Sequence, residues 1–131
     1  MRIHHVALRT ADLPRLERFY AGVLGLAMSR RDDARGSVWL LAGDAVVMLE
    51  RAAEGEARLL PPQPRADPIS SPLPMDLLAF AVPDKEAWRA RLEDAGVRVE
   101  AETSHTLYVR DPDGRRIGLS TYPVSAVGPT P

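Results

Sequence analysis

Two aspartates, Asp12 and Asp84, each open an apolar stripe of helical spacing that a glycine then closes, and each stripe is flanked by strand-like runs in the same order. This repeated order restricts the fold more than any other feature of the chain. In the first copy, residues 2–9 (RIHHVALR) alternate, with Val6 and Leu8 on one face and His5, Ala7 and Arg9 on the other. Asp12 is an N-cap, because a short carboxylate can accept from the unpartnered N–H groups of the first turn. Leu13, Leu16, Phe19, Tyr20 and Val23 follow at helical spacing, and Gly25 stops the helix. Runs at 26–31, 37–41 and 45–50 then read as strands, with turns at 32–36 and 42–44.

The second copy predicts a strand over 77–82, the cap Asp84, and a helix carrying Ala87, Trp88, Arg91, Leu92 and Ala95. Gly96 ends that helix, and strands follow over 97–101, 106–110 and 116–122. Laying Asp12 on Asp84 places His5 over Leu77, Leu16 over Trp88 and Tyr20 over Leu92. The expected fold is therefore α+β, with two βαβββ modules in tandem (2–50 and 75–122) in one domain. Together they form a cupped mixed sheet with its helices outside. One strand face of each module buries the helix, and the other is left to line a cavity. Residues 51–74 hold six of the twelve prolines and read as a linker, while the tail 123–131 has no pattern.

The bulk numbers narrow the function. With 131 residues, 45% hydrophobic and 27% charged, the chain has the make-up of a globular domain rather than a disordered one. No apolar run approaches the roughly 20 residues needed to cross a bilayer, and no secretory signal precedes Ile3, so a cytoplasmic location is expected. Cysteine is absent, which excludes disulfides and thiolate metal sites. Formal charge is −1, with acids and bases mixed along the chain, so neither nucleic acid nor membrane is an expected partner. There is no GxSxG, no GxxxxGK and no HExxH.

The stretches HHVALRTADLPRLERFYAGVLGL and LYVRDPDGRRIGL carry a resemblance to the vicinal oxygen chelate superfamily. That group includes glyoxalase I, bleomycin and fosfomycin resistance proteins, methylmalonyl-CoA epimerase and extradiol dioxygenases. His-hydrophobe-Ala-Leu, the Asp cap, Phe-Tyr, Leu-Gly-Leu and the Asp-Pro-Asp-Gly turn fall in that family's order, over about residues 3–50 and 76–122. In its metal-dependent members each module offers up to two ligands to a divalent cation, one on its first strand and one on its last. The resemblance puts His5 and Glu50 at those positions in module one. In module two it puts Leu77 where a His is common and Gly118 where a Glu is common. Gly118 then leaves room at the cavity floor and deletes a ligand.

What the resemblance implies is a small-molecule-binding protein with an incomplete metal centre, acting by sequestration. Its cavity is lined by Ala7, Val46, Met48, Leu77, Ala79, Thr106, Tyr108, Gly118 and Ser120, and His5 and Glu50 are its polar handles. No cofactor is required on this reading. The alternative is a glyoxalase- or dioxygenase-like enzyme whose residual ligands His5 and Glu50 hold zinc, manganese, nickel or iron. Without metal, His5 and Glu50 form a candidate acid/base dyad. A third reading is a structural module acting through its dimer surface, and the resemblance implies a homodimer. Asp76 points away from Leu77 by alternation. His4 is structural, and His105 has the wrong parity to join Tyr108. Arg9, Arg110 and Arg116 share the cavity-side parity. Trp39 and Met48 are wall candidates whose default is core packing, Trp88 is read as core, and RRDDAR (30–35) as a solvated hairpin tip.

Overall fold

The computed structural model describes residues 1–53 and 77–123. Most of the proline-rich stretch, Asp76, and the tail beyond Pro123 therefore lie outside the described residues. The chain divides into two compact units, Met1–Pro62 and Gln63–Pro131. Each has the element order β-α-β-β-β, and together they make the fold α+β.

The first unit begins with β1 (His5–Thr10) and α1 (Leu13–Glu17), which widens into a π-helical segment, Arg18–Val23. The entry to α1 is fixed locally. Thr10 Oγ1 accepts the Asp12 N–H at 3.1 Å, and Asp12 Oδ1 accepts the Arg15 N–H at 3.1 Å. Gly25, at φ 76°, lets the chain leave the helix in a left-handed turn. The strands β2 (Ala27–Asp32), β3 (Ser37–Ala42) and β4 (Ala45–Arg51) follow, so β4 takes in the first residue expected for the linker. Spatial order is β1-β4-β3-β2, with β1 parallel to β4 and the other pairs antiparallel. One face supplies the core. Leu8, Val38, Leu40, Val47 and Leu49 are buried there, with Leu16, Phe19 and Tyr20 of the helical segment.

The second unit holds β5 (Leu78–Ala81), α2 (Lys85–Asp94), β6 (Ala101–Glu102), β7 (Thr106–Arg110) and β8 (Arg116–Ser120), in the order β5-β8-β7-β6. Asp84 Oδ1 accepts the N–H groups of Glu86 and Ala87 at 3.0 and 3.1 Å, and Ala95 and Gly96 end the helix. Leu92, Leu107, Val109, Ile117 and Leu119 are the core. The Asp-Pro-Asp-Gly turn is held from inside. Asp111 is buried, and its Oδ1 accepts from the N–H groups of both Asp113 and Arg115 at 2.9 Å.

Two expectations need correction here. A strand over 97–101 is reduced to Ala101–Glu102, because before it only the Glu100 N–H, bonded to the Tyr108 carbonyl at 2.9 Å, continues the ladder. Trp88 is half-buried rather than core, with the Arg91 guanidinium 4.8 Å from its ring centroid. Among the described residues, no helix is long and apolar enough to cross a membrane.

Candidate functional site

Strand register decides which side chains share a face. In the first unit His5 lies opposite Val46, Ala7 opposite Met48 and Arg9 opposite Glu50. On the next strand, Val46 faces Leu41, Met48 faces Trp39 and Glu50 faces Ser37. Partners at one register point to one side of a sheet, so all of these stand on the face away from α1. The expected site residues His5, Ala7, Val46, Met48 and Glu50 therefore share this face.

The structure does not join His5 to Glu50. The strands that carry them are neighbours, as expected, but four register steps of about 3.3 Å separate the two residues, or about 13 Å along the strand. Each is engaged elsewhere. The Nδ1 atoms of His4 and His5 approach to 2.9 Å, so one of the two carries the proton between them, and Glu50 faces the Arg9 Nε at 3.4 Å. The dyad is corrected accordingly. Parity told which face both occupy, while the offset between β1 and β4 set their separation.

Trp39 departs from the core packing expected for it. Val38 and Leu40 take the core side of β3, which turns the half-buried indole to the open face. The Arg30 guanidinium lies 5.6 Å from its ring centroid, and the His5 ring is nearly parallel to it at 6.5 Å and 11°. Beside Trp39 is a depression of about 370 Å³, lined by Arg9, Arg30, Arg35, Trp39, Met48 and Glu50 among others. Sequence reasoning gave Arg30 and Arg35 to a solvated hairpin tip. The available signal was alternation, since Arg30 pairs directly with Trp39 across the β2–β3 ladder.

The second unit places Ala79 opposite Gly118, with Tyr108 on the other side of Gly118, and Thr106 opposite Ser120. Leu77 joins them by alternation. These six expected residues share the face away from Leu92, but they do not frame an open floor. A Cβ added to Gly118 would lie 3.2 Å from Ala79 Cβ, 3.3 Å from Thr106 Cγ2 and 3.4 Å from Leu77 Cδ1. The room expected above Gly118 is thus already filled by neighbouring side chains. Thr106 Oγ1 and Ser120 Oγ are hydrogen-bonded at 2.8 Å, and Arg116 covers the Tyr108 ring at 4.3 Å. Arg110 pairs with Glu100 at 2.9 Å, both largely buried. His105 lies in the loop before β7, against Tyr122.

A bound divalent cation draws its ligand atoms to about 2.0–2.6 Å from itself, so they must converge on one point. Among the described residues no group of three or more His, Asp or Glu does so. The separation of His5 and Glu50, with Arg9 beside the carboxylate, does not fit a shared ion in the first unit.

A family model described as the Glyoxalase/Bleomycin resistance protein/Dioxygenase superfamily matches residues 2–119. Among solved structures, a lactoylglutathione lyase from Agrobacterium tumefaciens is similar at 26% identity and a TM-score of 0.66, covering 91% of this chain and 92% of its own. The trypanothione-dependent glyoxalase I of Leishmania major is similar at 23% identity and a TM-score of 0.68, covering 92% and 86%. A glyoxalase/dioxygenase from Nostoc punctiforme is similar at 18% identity and a TM-score of 0.71, covering 90% and 88%. No curated protein matches the sequence.

Proposed function

Because the chain belongs to the Glyoxalase/Bleomycin resistance protein/Dioxygenase superfamily, we propose that it binds a small organic molecule on the open sheet face of the first unit, without a complete metal centre. The observation that carries this reading is the depression beside Trp39 and Met48. It is apolar on one wall, ringed by charged groups on the other, and lies on the face whose partner face is the core. Such a mixture of flat apolar surface with a few polar groups suits capture and orientation. His5 and Glu50 act there as separate polar groups, and Ala7 and Val46 extend the apolar floor between them. In the second unit Leu77, Ala79, Thr106, Tyr108, Gly118 and Ser120 form the corresponding face. A homodimer, the state expected by resemblance, belongs to the same proposal and is read by sedimentation.

A second reading draws on the likeness to the Agrobacterium lyase: a metal-dependent glyoxalase- or dioxygenase-like enzyme that uses His5 or Glu50 as a ligand. The register counts against both residues touching one ion. The two readings separate cleanly. A thermal-shift screen against methylglyoxal–thiol adducts, catechols, antibiotics and divalent metals is run beside metal analysis of protein purified without chelator. Ligand-dependent stabilisation with substoichiometric metal is expected. Stoichiometric zinc, manganese, nickel or iron that disappears in His5→Ala favours the enzyme, and a screen in which nothing shifts the melting temperature favours a purely structural module.

A further inference from the structure

We propose that the depression on the first unit selects a planar aromatic monocarboxylate, an inference that rests on the small-molecule reading above and gives it a ligand class. The lining is locally basic in a chain whose formal charge is −1. Among the described residues, four of its side chains are arginines (Arg9, Arg30, Arg35 and Arg51) against two carboxylates, Asp32 and Glu50. Those carboxylates are already engaged. Glu50 faces Arg9 at 3.4 Å and Asp32 faces Arg35 at 3.9 Å. Among the described residues the acids of the site are therefore balanced from within, and the positive excess is what a ligand would meet. A concave wall with an excess of one sign concentrates the opposite charge.

Arg30 is the natural anchor. It stands directly across the ladder from Trp39, its guanidinium lies over the indole, and it forms no ion pair among the described residues. A guanidinium presents planar, parallel donors that match the two oxygens of a carboxylate, and it keeps its charge at any working pH. Contact with an aromatic face orients the group without consuming its hydrogen bonds. Beside it, the Trp39 ring and the Met48 thioether offer a flat, polarizable surface that suits an aromatic body better than a branched aliphatic one. A volume of about 370 Å³ lies at the small end of the usual range for organic ligands, roughly 300–1,000 Å³. A two-ring acid fits that space. An ammonium group in the same place meets the arginine excess and is disfavoured.

The chain has two tryptophans, so Trp88→Phe, which alters only the second unit, leaves the Trp39 indole N–H as a single reporter in a proton–nitrogen correlation spectrum. That protein is titrated with 2-naphthoate, 2-naphthylmethylamine, 2-naphthol and acetate. Saturable movement of the indole signal is expected with naphthoate, with weaker response to naphthol and none to the amine or acetate. Adding Arg30→Gln should weaken naphthoate about tenfold or more, as loss of a charge-assisted pair does. Arg2→Gln, which alters an exposed pair with Asp44, should leave it unchanged. Arg30 is exposed, so its variant should keep the parent melting temperature. If the amine binds as tightly as the acid, or Arg30→Gln changes nothing, the carboxylate inference falls while ligand binding stands. If no probe moves the indole signal and the wider screen is silent, both fall.

Discussion

The two units use one order of elements, yet the faces turned away from their cores are built in opposite ways. In the first unit that face carries an indole, a thioether and a set of arginines around a depression. In the second it is closed at its centre, where Leu77, Ala79 and Thr106 crowd Gly118 and Arg116 lies on Tyr108. The core faces show less divergence, and each is a mainly aliphatic layer packed under a helix. A sheet that must bury a helix leaves one face little freedom, while the other is free to open or close. On the proposed reading, ligand contact falls to the first unit and packing to the second.

The largest expected effect tests the common half of this comparison. Leu40 in the first unit and Leu107 in the second are fully buried. Leu40→Ala and Leu107→Ala should each cost about 2–5 kcal/mol, the usual loss for emptying a packed site. Leu41→Ala, next along β3 but 44% exposed, should stay within about 0.5 kcal/mol of the parent. Urea denaturation measures all three. Equal losses at Leu40 and Leu41 would reverse the assignment of faces.

The next effect tests the half that differs. Gly118→Glu puts a carboxylate into a site where even a Cβ comes within 3.2–3.4 Å of its neighbours. Overpacking of this kind costs about 1–3 kcal/mol. Ala7→Glu, on the open face of the first unit and exposed, should cost under about 0.5 kcal/mol. A Gly118→Glu protein as stable as its parent, and newly loaded with a divalent cation, would show that the second unit keeps an open floor.

Much of this was legible in the sequence, because much of it is local. Asp12 and Asp84 cap their helices by reaching only to residues two or three positions on. Gly25 and Gly96 take left-handed φ where the helical stripes end. Strand parity is equally local, and it grouped the expected residues of each unit on one face, the face away from the core. Distances along that face were not legible. Whether His5 meets Val46 or Glu50 depends on how a parallel pair slides, and that is set by the helical crossover between the strands rather than by either strand. The side taken by Trp39 was hidden for a related reason. A large apolar residue defaults to the core, and only the competing claims of Val38 and Leu40 exclude it.

The smallest expected effect concerns how each edge strand is held. In the first unit the acid is on the helix and the base on the strand, with Glu17 of α1 bonded to Arg31 of β2. In the second the polarity is reversed. Glu102 of β6 accepts from Arg89 at 2.7 Å and Lys85 at 3.1 Å, both on α2, which ties down a strand only two residues long. The hydrogen bond from Arg89, and then that from Lys85, holds the Glu102 carboxyl below its ordinary value of 4.5. A carboxyl depressed in the folded state adds stability that is fully present above its unfolded value and is lost as pH falls through the folded one. The parent should therefore exceed Glu102→Gln in urea midpoint at pH 7, and the gap should close below about pH 4.5. Glu102 is exposed, so raising the salt concentration should narrow the gap at pH 7 as well. A gap that persists unchanged at pH 3 would mean that Glu102 holds β6 by its shape and hydrogen-bonding geometry and that its charge is incidental.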